Sequence, residues 1–107
     1  MDDTLTQLYD VIAARKGADP KESYVASLYA KGTEKIAAKV TEEAGETIIE
    51  AIKGDKNKLR EESADLLFHL MVLWADQGIT PREVLKVLEG RMGTSGHAEK
   101  AARKHRD

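Results

Sequence analysis

Apolar positions recur along this chain at spacings of three and four, and glycines cut the pattern into pieces. Leu5, Leu8, Tyr9 and Ile12 share one helical face, behind a Thr4–Gln7 capping box and ahead of Gly17. A short second helix carries Tyr24, Val25, Leu28 and Tyr29 and stops at Gly32. The third runs from near Thr33 to Gly54, its apolar stripe being Ile36, Val40, Ala44, Ile48 and Ala51. Asp55 is placed to cap a fourth helix, which passes Leu59 and ends by Gly78. Thr80-Pro81-Arg82-Glu83 combines a capping box with proline at the first helical position, and opens a fifth helix bearing Val84, Leu85, Val87 and Leu88. The pattern predicts an all-α bundle of about five helices, with one domain over residues 1–93 and a basic segment over 94–107.

The fourth helix adds an expectation about assembly. Ten of the twelve residues 64–75 are apolar, so this stretch is hydrophobic nearly all round and belongs in the middle of something. A single domain of 107 residues offers few ways to cover every side. The expectation is a homodimer or higher homo-oligomer that completes the bundle, with some of Leu70, Leu73 and Trp74 between subunits.

Charge changes the picture further. The net charge is −2, with no overall pull toward nucleic acid or an anionic membrane. Yet residues 42–65 hold eight of the nineteen acids, and residues 91–107 hold five of the seventeen Lys and Arg. Glu43 with Glu46, and Glu62 with Asp65, are two acidic pairs at i,i+3 spacing on consecutive helices. Each pair puts two carboxylates on one face. In an antiparallel hairpin all four converge, and carboxylates so close raise one another's pKa unless a cation neutralises them. With no cysteine present, such an oxygen cluster suits Mg²⁺ held against a polyphosphate.

The plainer alternative is a solvated face. Lys35, Lys39, Glu43, Glu46 and Glu50 lie on one stripe of the third helix, and Lys39–Glu43 and Glu46–Glu50 are i,i+4 contacts worth a few tenths of a kcal/mol. Asp65 resists that reading. It opens the most apolar stretch of the chain, where an unpaired buried carboxylate costs several kcal/mol, so it is expected to be buried against a Lys, an Arg or a metal. His69, one turn on, is expected to support the acids from behind or to serve as a satisfied core histidine, because magnesium prefers oxygen.

Glu42-Glu43-x-x-Glu46, fifteen intervening residues, then Glu62-x-x-Asp65 resembles the magnesium motif of the all-α nucleoside triphosphate pyrophosphatases, the MazG-like superfamily. Within it the likeness is to the phosphoribosyl-ATP pyrophosphatase family. It extends to Arg15-Lys16 with Ala18-Asp19-Pro20, Ser23-Tyr24, Gly32 with Lys35-Ile36-Ala37-x-Lys39, Asp65-Leu66-Leu67 with His69-Leu70, Arg91-x-Gly93, Ser95-Gly96 and Glu99-Lys100-Ala101 with Arg103. Val25, Ser27 and Ala98 depart from the residues commoner in that family.

The resemblance implies Mg²⁺-dependent hydrolysis of phosphoribosyl-ATP between its α and β phosphates, giving phosphoribosyl-AMP and pyrophosphate, the second step of histidine biosynthesis. It implies Glu43, Glu46, Glu62 and Asp65 as metal ligands and Glu42 or Glu46 as the group that activates water. Lys35, Lys39, Arg91, Lys100 and Arg103 are the cations available for substrate phosphates. A companion cyclohydrolase activity is not expected in so short a chain without cysteine. A house-cleaning nucleoside triphosphate pyrophosphatase shares the metal motif and is the alternative. A non-enzymatic helical partner protein would leave the acids merely solvated, and a di-iron bundle would need Glu-x-x-His pairs that the acidic motifs do not supply. The acidic amino terminus lacks an apolar signal-like core, and the 64–75 run is too short to span a bilayer, so a cytoplasmic enzyme without membrane contact is expected.

Overall fold

The computed structural model describes residues 3–92. Over them the chain forms five helices: α1 (Asp3–Ala14), α2 (Tyr24–Lys31), α3 (Thr33–Lys53), α4 (Lys56–Asp76) and α5 (Pro81–Arg91). Most ends follow the local chemistry. The Ser23 hydroxyl accepts from the Ala26 amide at 3.1 Å to start α2, and Thr80 accepts from the Glu83 amide at 3.2 Å to start α5 behind Pro81. The capping box expected at Thr4 does not form the boundary: α1 already runs from Asp3, and Thr4 stands within its first turn.

The long hairpin α3–α4 is the frame of the molecule. Gly54 ends α3 at φ 77°, ψ 18°, donating its amide to the Glu50 and Ala51 carbonyls. Asp55 then accepts from the Lys58 amide at 3.0 Å to start α4. Gly54 and Asp55 thus reverse the chain between helices of 21 residues each. This tight link makes the two helices antiparallel neighbours, so that the acidic pairs face each other.

The other helices cover one end of that hairpin. α1 packs on α4, α2 on α3, and α5 on α1. Ile12, Val25, Leu28, Ile36, Met71, Val72 and Ala75 form the buried core. The Tyr29 hydroxyl donates to the Ile12 carbonyl at 3.0 Å, and burial pushes its pKa up to about 12, which keeps it a donor. Thr33 donates to Asp76 at 2.7 Å and joins the start of α3 to the end of α4.

The opposite end of the hairpin is bare. Ile48, Ile49 and Ile52 on α3 are exposed, and so is Leu67 on α4. Only the first half of the α3 stripe is therefore covered within the chain. Of Leu70, Leu73 and Trp74, some of which are expected between subunits, Leu73 and Trp74 are partly buried against the core cluster, and Leu70 is half-buried. The open apolar surface lies toward the end of the hairpin near its link, at Ile48, Ile49 and Ile52. On α5, Val84 and Leu85 are half-buried while Val87 and Leu88 are exposed. Among the described residues no helix is long and apolar enough to cross a membrane. The expected basic segment 94–107, with Lys100 and Arg103, lies outside the described residues.

Candidate active site

Antiparallel packing of α3 on α4 turns two sequence pairs into one cluster. Carboxylate oxygens of Glu43, Glu62 and Asp65 all lie within 4.8 Å of one another. Glu46 joins them, close enough to both Glu43 and Glu62 to share a proton with either. Two helices thus bring three acids to a single point, with Glu46 against two of them.

Burial is distributed differently from the expectation. Asp65 is exposed, and the buried member is Glu43, at 8% exposure. Leucines next to Asp65 in sequence therefore do not cover it, whereas Glu43 is enclosed where α3 packs on α4. Oε2 of Glu43 and Oε2 of Glu62 are both shielded from solvent, and no hydrogen-bond donor reaches either. Orphaned anionic oxygens are rare in native folds, because each loses its water without replacement. Burial raises the Glu43 pKa above the usual carboxylate range, and Glu46 adds to it. Glu62 is raised chiefly by its hydrogen bond with Glu46, then by burial and by repulsion from Glu46, Asp65 and Glu43.

Lys39 reaches Glu43 only at Oε1, which leaves Oε2 of Glu43 and of Glu62 without a counter-charge. Oxygens within 4.8 Å of one another are within a small side-chain adjustment of the roughly 3–4 Å separations that an octahedral Mg²⁺ shell with 2.0–2.1 Å bonds imposes. A hard, all-oxygen donor set fits Mg²⁺ and does not fit a soft metal.

The remaining expected residues fall around this cluster. Lys39 holds Glu42 at 3.5 Å and Glu43 at 3.8 Å, so it borders the acids directly. Glu42 is exposed beside it, and Lys35 is exposed one turn earlier. His69 is 6% exposed, and its Nδ1 lies 2.8 Å from the Asp65 backbone carbonyl. It contacts the backbone of an acid, not a carboxylate. Arg91 ends α5, which packs on α1 and is not part of the hairpin. An apolar hollow beside Leu85, Leu88, Glu89 and Met92 shares no residue with the acids.

The family model for phosphoribosyl-ATP pyrophosphohydrolase matches residues 5–92. The chain belongs to that family. It is 61% identical over 100 residues to a phosphoribosyl-ATP pyrophosphatase of Azospirillum brasilense, covering 94% of this chain and 90% of that one. The protein of the same name from Rhizorhabdus wittichii is 58% identical over 103 residues, covering 96% and 97%. That of Gluconobacter oxydans is 52% identical over 99 residues, covering 92% and 74%. Family membership makes this chain an enzyme of the hydrolase class, and the all-α fold is the one that its acidic motif predicts.

Two residues near the site escape sequence reasoning. Glu50, weighed as a surface acid, keeps one oxygen buried and without a donor; only the hairpin register, which covers that face of α3, shows it. Tyr24 reads as an apolar member of α2, yet it is 51% exposed and its hydroxyl lies 2.9 Å from His69 Nε2. Ser-Tyr at a helix start carries no signal for such a partner 45 positions away.

Proposed function

We propose that this enzyme hydrolyses phosphoribosyl-ATP to phosphoribosyl-AMP and pyrophosphate in a Mg²⁺-dependent reaction, the second step of histidine biosynthesis, in the cytoplasm. The observation that carries the reading is the buried pair of unsatisfied oxygens on Glu43 and Glu62, next to Asp65. Phosphoribosyl-ATP pyrophosphatase is the name of relatives that align along nearly all of the chain, which supports the substrate.

Glu43, Glu46, Glu62 and Asp65 would hold the metal. Bound there, Mg²⁺ supplies positive charge against the polyphosphate and the departing pyrophosphate. Water is added across the α–β bridge: its oxygen ends on one phosphate, and the bridging oxygen leaves with the other. Glu42 and Glu46 are the glutamates available to take the water's proton. Glu46 already bridges Glu43 and Glu62, while Glu42 is exposed outside that knot, which supports Glu42 in the role. Lys39 lies at the cluster's edge, where a phosphate oxygen would arrive, and Lys35 one turn away extends that basic rim. Arg91, Lys100 and Arg103 supply further cations for the 5′-phosphate that distinguishes this substrate from ordinary nucleotides.

A second copy of the chain would complete the bundle over Ile48, Ile49, Ile52 and Leu67. A contiguous apolar face of this kind marks an interface more often than a free surface.

The test is pyrophosphate release from phosphoribosyl-ATP, measured with Mg²⁺ and with chelator, beside a panel of nucleoside triphosphates. Mg²⁺-dependent release with strong preference for phosphoribosyl-ATP is the expected result. Equal or better turnover of noncanonical triphosphates would replace the reading with house-cleaning hydrolysis, and no turnover of any of them would end both.

A further inference from the structure

Tyr24 is 51% exposed, yet its side chain is held at several points. The hydroxyl lies 2.9 Å from His69 Nε2, and this bond forms in either tautomer of His69, because a hydroxyl both donates and accepts. The ring lies against Phe68 at 6.4 Å between centroids, with planes 19° apart. His69 stands edge-on to both rings, 5.8 Å from Tyr24 and 5.1 Å from Phe68. Offset-stacked and edge-on pairs are the favoured arrangements of aromatic rings. Together with the hydroxyl bond they leave Tyr24 little rotamer freedom.

The same contacts fix where the ring stands. Phe68 and His69 follow Asp65 on α4 by three and four positions, so the three share one face of that helix. His69 Nδ1 also lies 2.8 Å from the Asp65 carbonyl. Tyr24, packed on both rings, therefore stands about one helical turn, roughly 5 Å along the axis, from an acid of the cluster. One ribose separates a purine from its α-phosphate, a span of the same order.

A tyrosine kept for packing alone would turn its ring under cover, because apolar surface left in water is costly. Here the half-buried Phe68 and the buried His69 support the ring, and about half of the residue's surface stays in water. An aromatic surface that is both open and immobilised receives a planar group with little further loss of freedom. Nucleobases stack on such surfaces, because every base has a π-face.

We infer that the open side of the Tyr24 ring is the stacking platform for the purine of the nucleotide whose phosphates the acidic cluster receives. The inference rests on the proposed polyphosphate hydrolysis, and it gives α2, which carries no acid, the recognition of the base. Phe68 and His69 are positioning residues: one backs the ring and the other holds its hydroxyl. Stacking reads a π-face and not a hydrogen-bonding edge, so the platform favours a nucleotide over a bare polyphosphate.

Two ligands and two variants of the full chain test it, by calorimetric titration in the presence of Mg²⁺. The α,β-methylene analogue of ATP carries a base and cannot be cut between its α and β phosphates; tripolyphosphate has phosphates and no base. Tyr24→Leu removes the ring, and Tyr24→Phe keeps it while removing the hydroxyl. Tyr24→Leu is expected to weaken binding of the nucleotide about tenfold, the scale of one base on one aromatic ring, and to leave tripolyphosphate unchanged. Tyr24→Phe should keep most of the nucleotide affinity. Equal losses for both ligands in Tyr24→Leu, no loss for either, or a loss in Tyr24→Phe as large as in Tyr24→Leu would overturn the inference. So would a wild type that binds tripolyphosphate as tightly as the nucleotide. A second measurement needs no variant: NMR cross-relaxation between the Tyr24 ring protons and the base protons of the bound analogue is expected in wild type, and its absence overturns the platform. If wild type does not hydrolyse phosphoribosyl-ATP, the proposed reaction fails, and the cross-relaxation alone decides whether Tyr24 receives a base.

Discussion

Glu43 and Glu62 are anions kept under conditions that disfavour anions, and the consequences can be measured without substrate. Both carry a folded-state pKa above the ordinary glutamate value of 4.5. Between that value and the raised one, the folded protein without metal binds protons that the unfolded chain has released. Stability contributed by these groups is therefore complete below about pH 4.5 and falls as pH rises through the raised pKa values. Glu62→Gln removes one charge and offers an amide donor to Glu46. In chelator at pH 7.5 this variant should melt a few degrees above wild type, with the gap closing toward pH 4.5. Its gain in melting temperature on adding Mg²⁺ should largely vanish, since the stabilisation reflects native-state binding, and its hydrolysis should be lost. Calorimetry across pH, with and without Mg²⁺, checks all of this. A Glu62→Gln protein less stable than wild type in chelator would show that the acids are not strained. Asp65 behaves differently because it is exposed. Asp65→Asn should leave stability within about 0.5 kcal/mol while kcat/KM falls at least about a hundredfold, as expected for removal of a metal ligand. Retention of a tenth of the activity at saturating Mg²⁺ would remove Asp65 from the ligand set.

The hairpin is the element that makes four scattered acids into a site, and its link is a measurable part of that. Gly54 occupies the left-handed region at φ 77°, with nothing within 4 Å of where a Cβ would stand. Gly54→Ala therefore meets only the conformational cost, roughly 1 kcal/mol, which for a domain of this size lowers the melting temperature by about 4–8 °C. Turnover well below the transition should be unchanged, because the register of α3 on α4 is set by packing along both helices. Loss of activity in a folded Gly54→Ala protein would show that the link, and not the packing, aligns the acids. This part of the fold is legible in the sequence: Gly54-Asp55 marks the reversal, and i,i+3 spacing marks the faces. What is not legible is depth. Asp65, amid leucines, reads as buried and is exposed, whereas Glu43, on a stripe that a plain reading leaves solvated, is the buried acid. Helical periodicity gives direction around an axis but not how far the neighbouring helices extend over it. Tyr24 and His69 meet across different helices, and a single chain of letters carries no trace of that contact.

At the scale of the whole molecule, the uneven cover over the hairpin leaves an apolar face whose fate can be tested. The five helices of one chain bury the end of α3–α4 that carries Ile36, Met71 and Val72, and leave the other end open. Water on that face is costly at roughly 25 cal/mol for each Å² of apolar surface, and a second chain offering the same face removes it on both sides. Ile52 discriminates between a lone chain and a pair. At 81% exposure it is a surface residue of the single chain, and a surface substitution changes stability by no more than about 0.5 kcal/mol. If a partner covers it, Ile52→Asp places a charge in an apolar interface without a counter-ion, a penalty of several kcal/mol. Wild type should sediment as a dimer at micromolar concentration. Ile52→Asp should sediment as a monomer, or melt far below wild type, while Lys53→Asp, at the neighbouring exposed position, should leave assembly unchanged. A monomeric wild type, or an Ile52→Asp protein with wild-type mass and melting temperature, would leave the bare end of the hairpin facing water and would require the site to function within one chain.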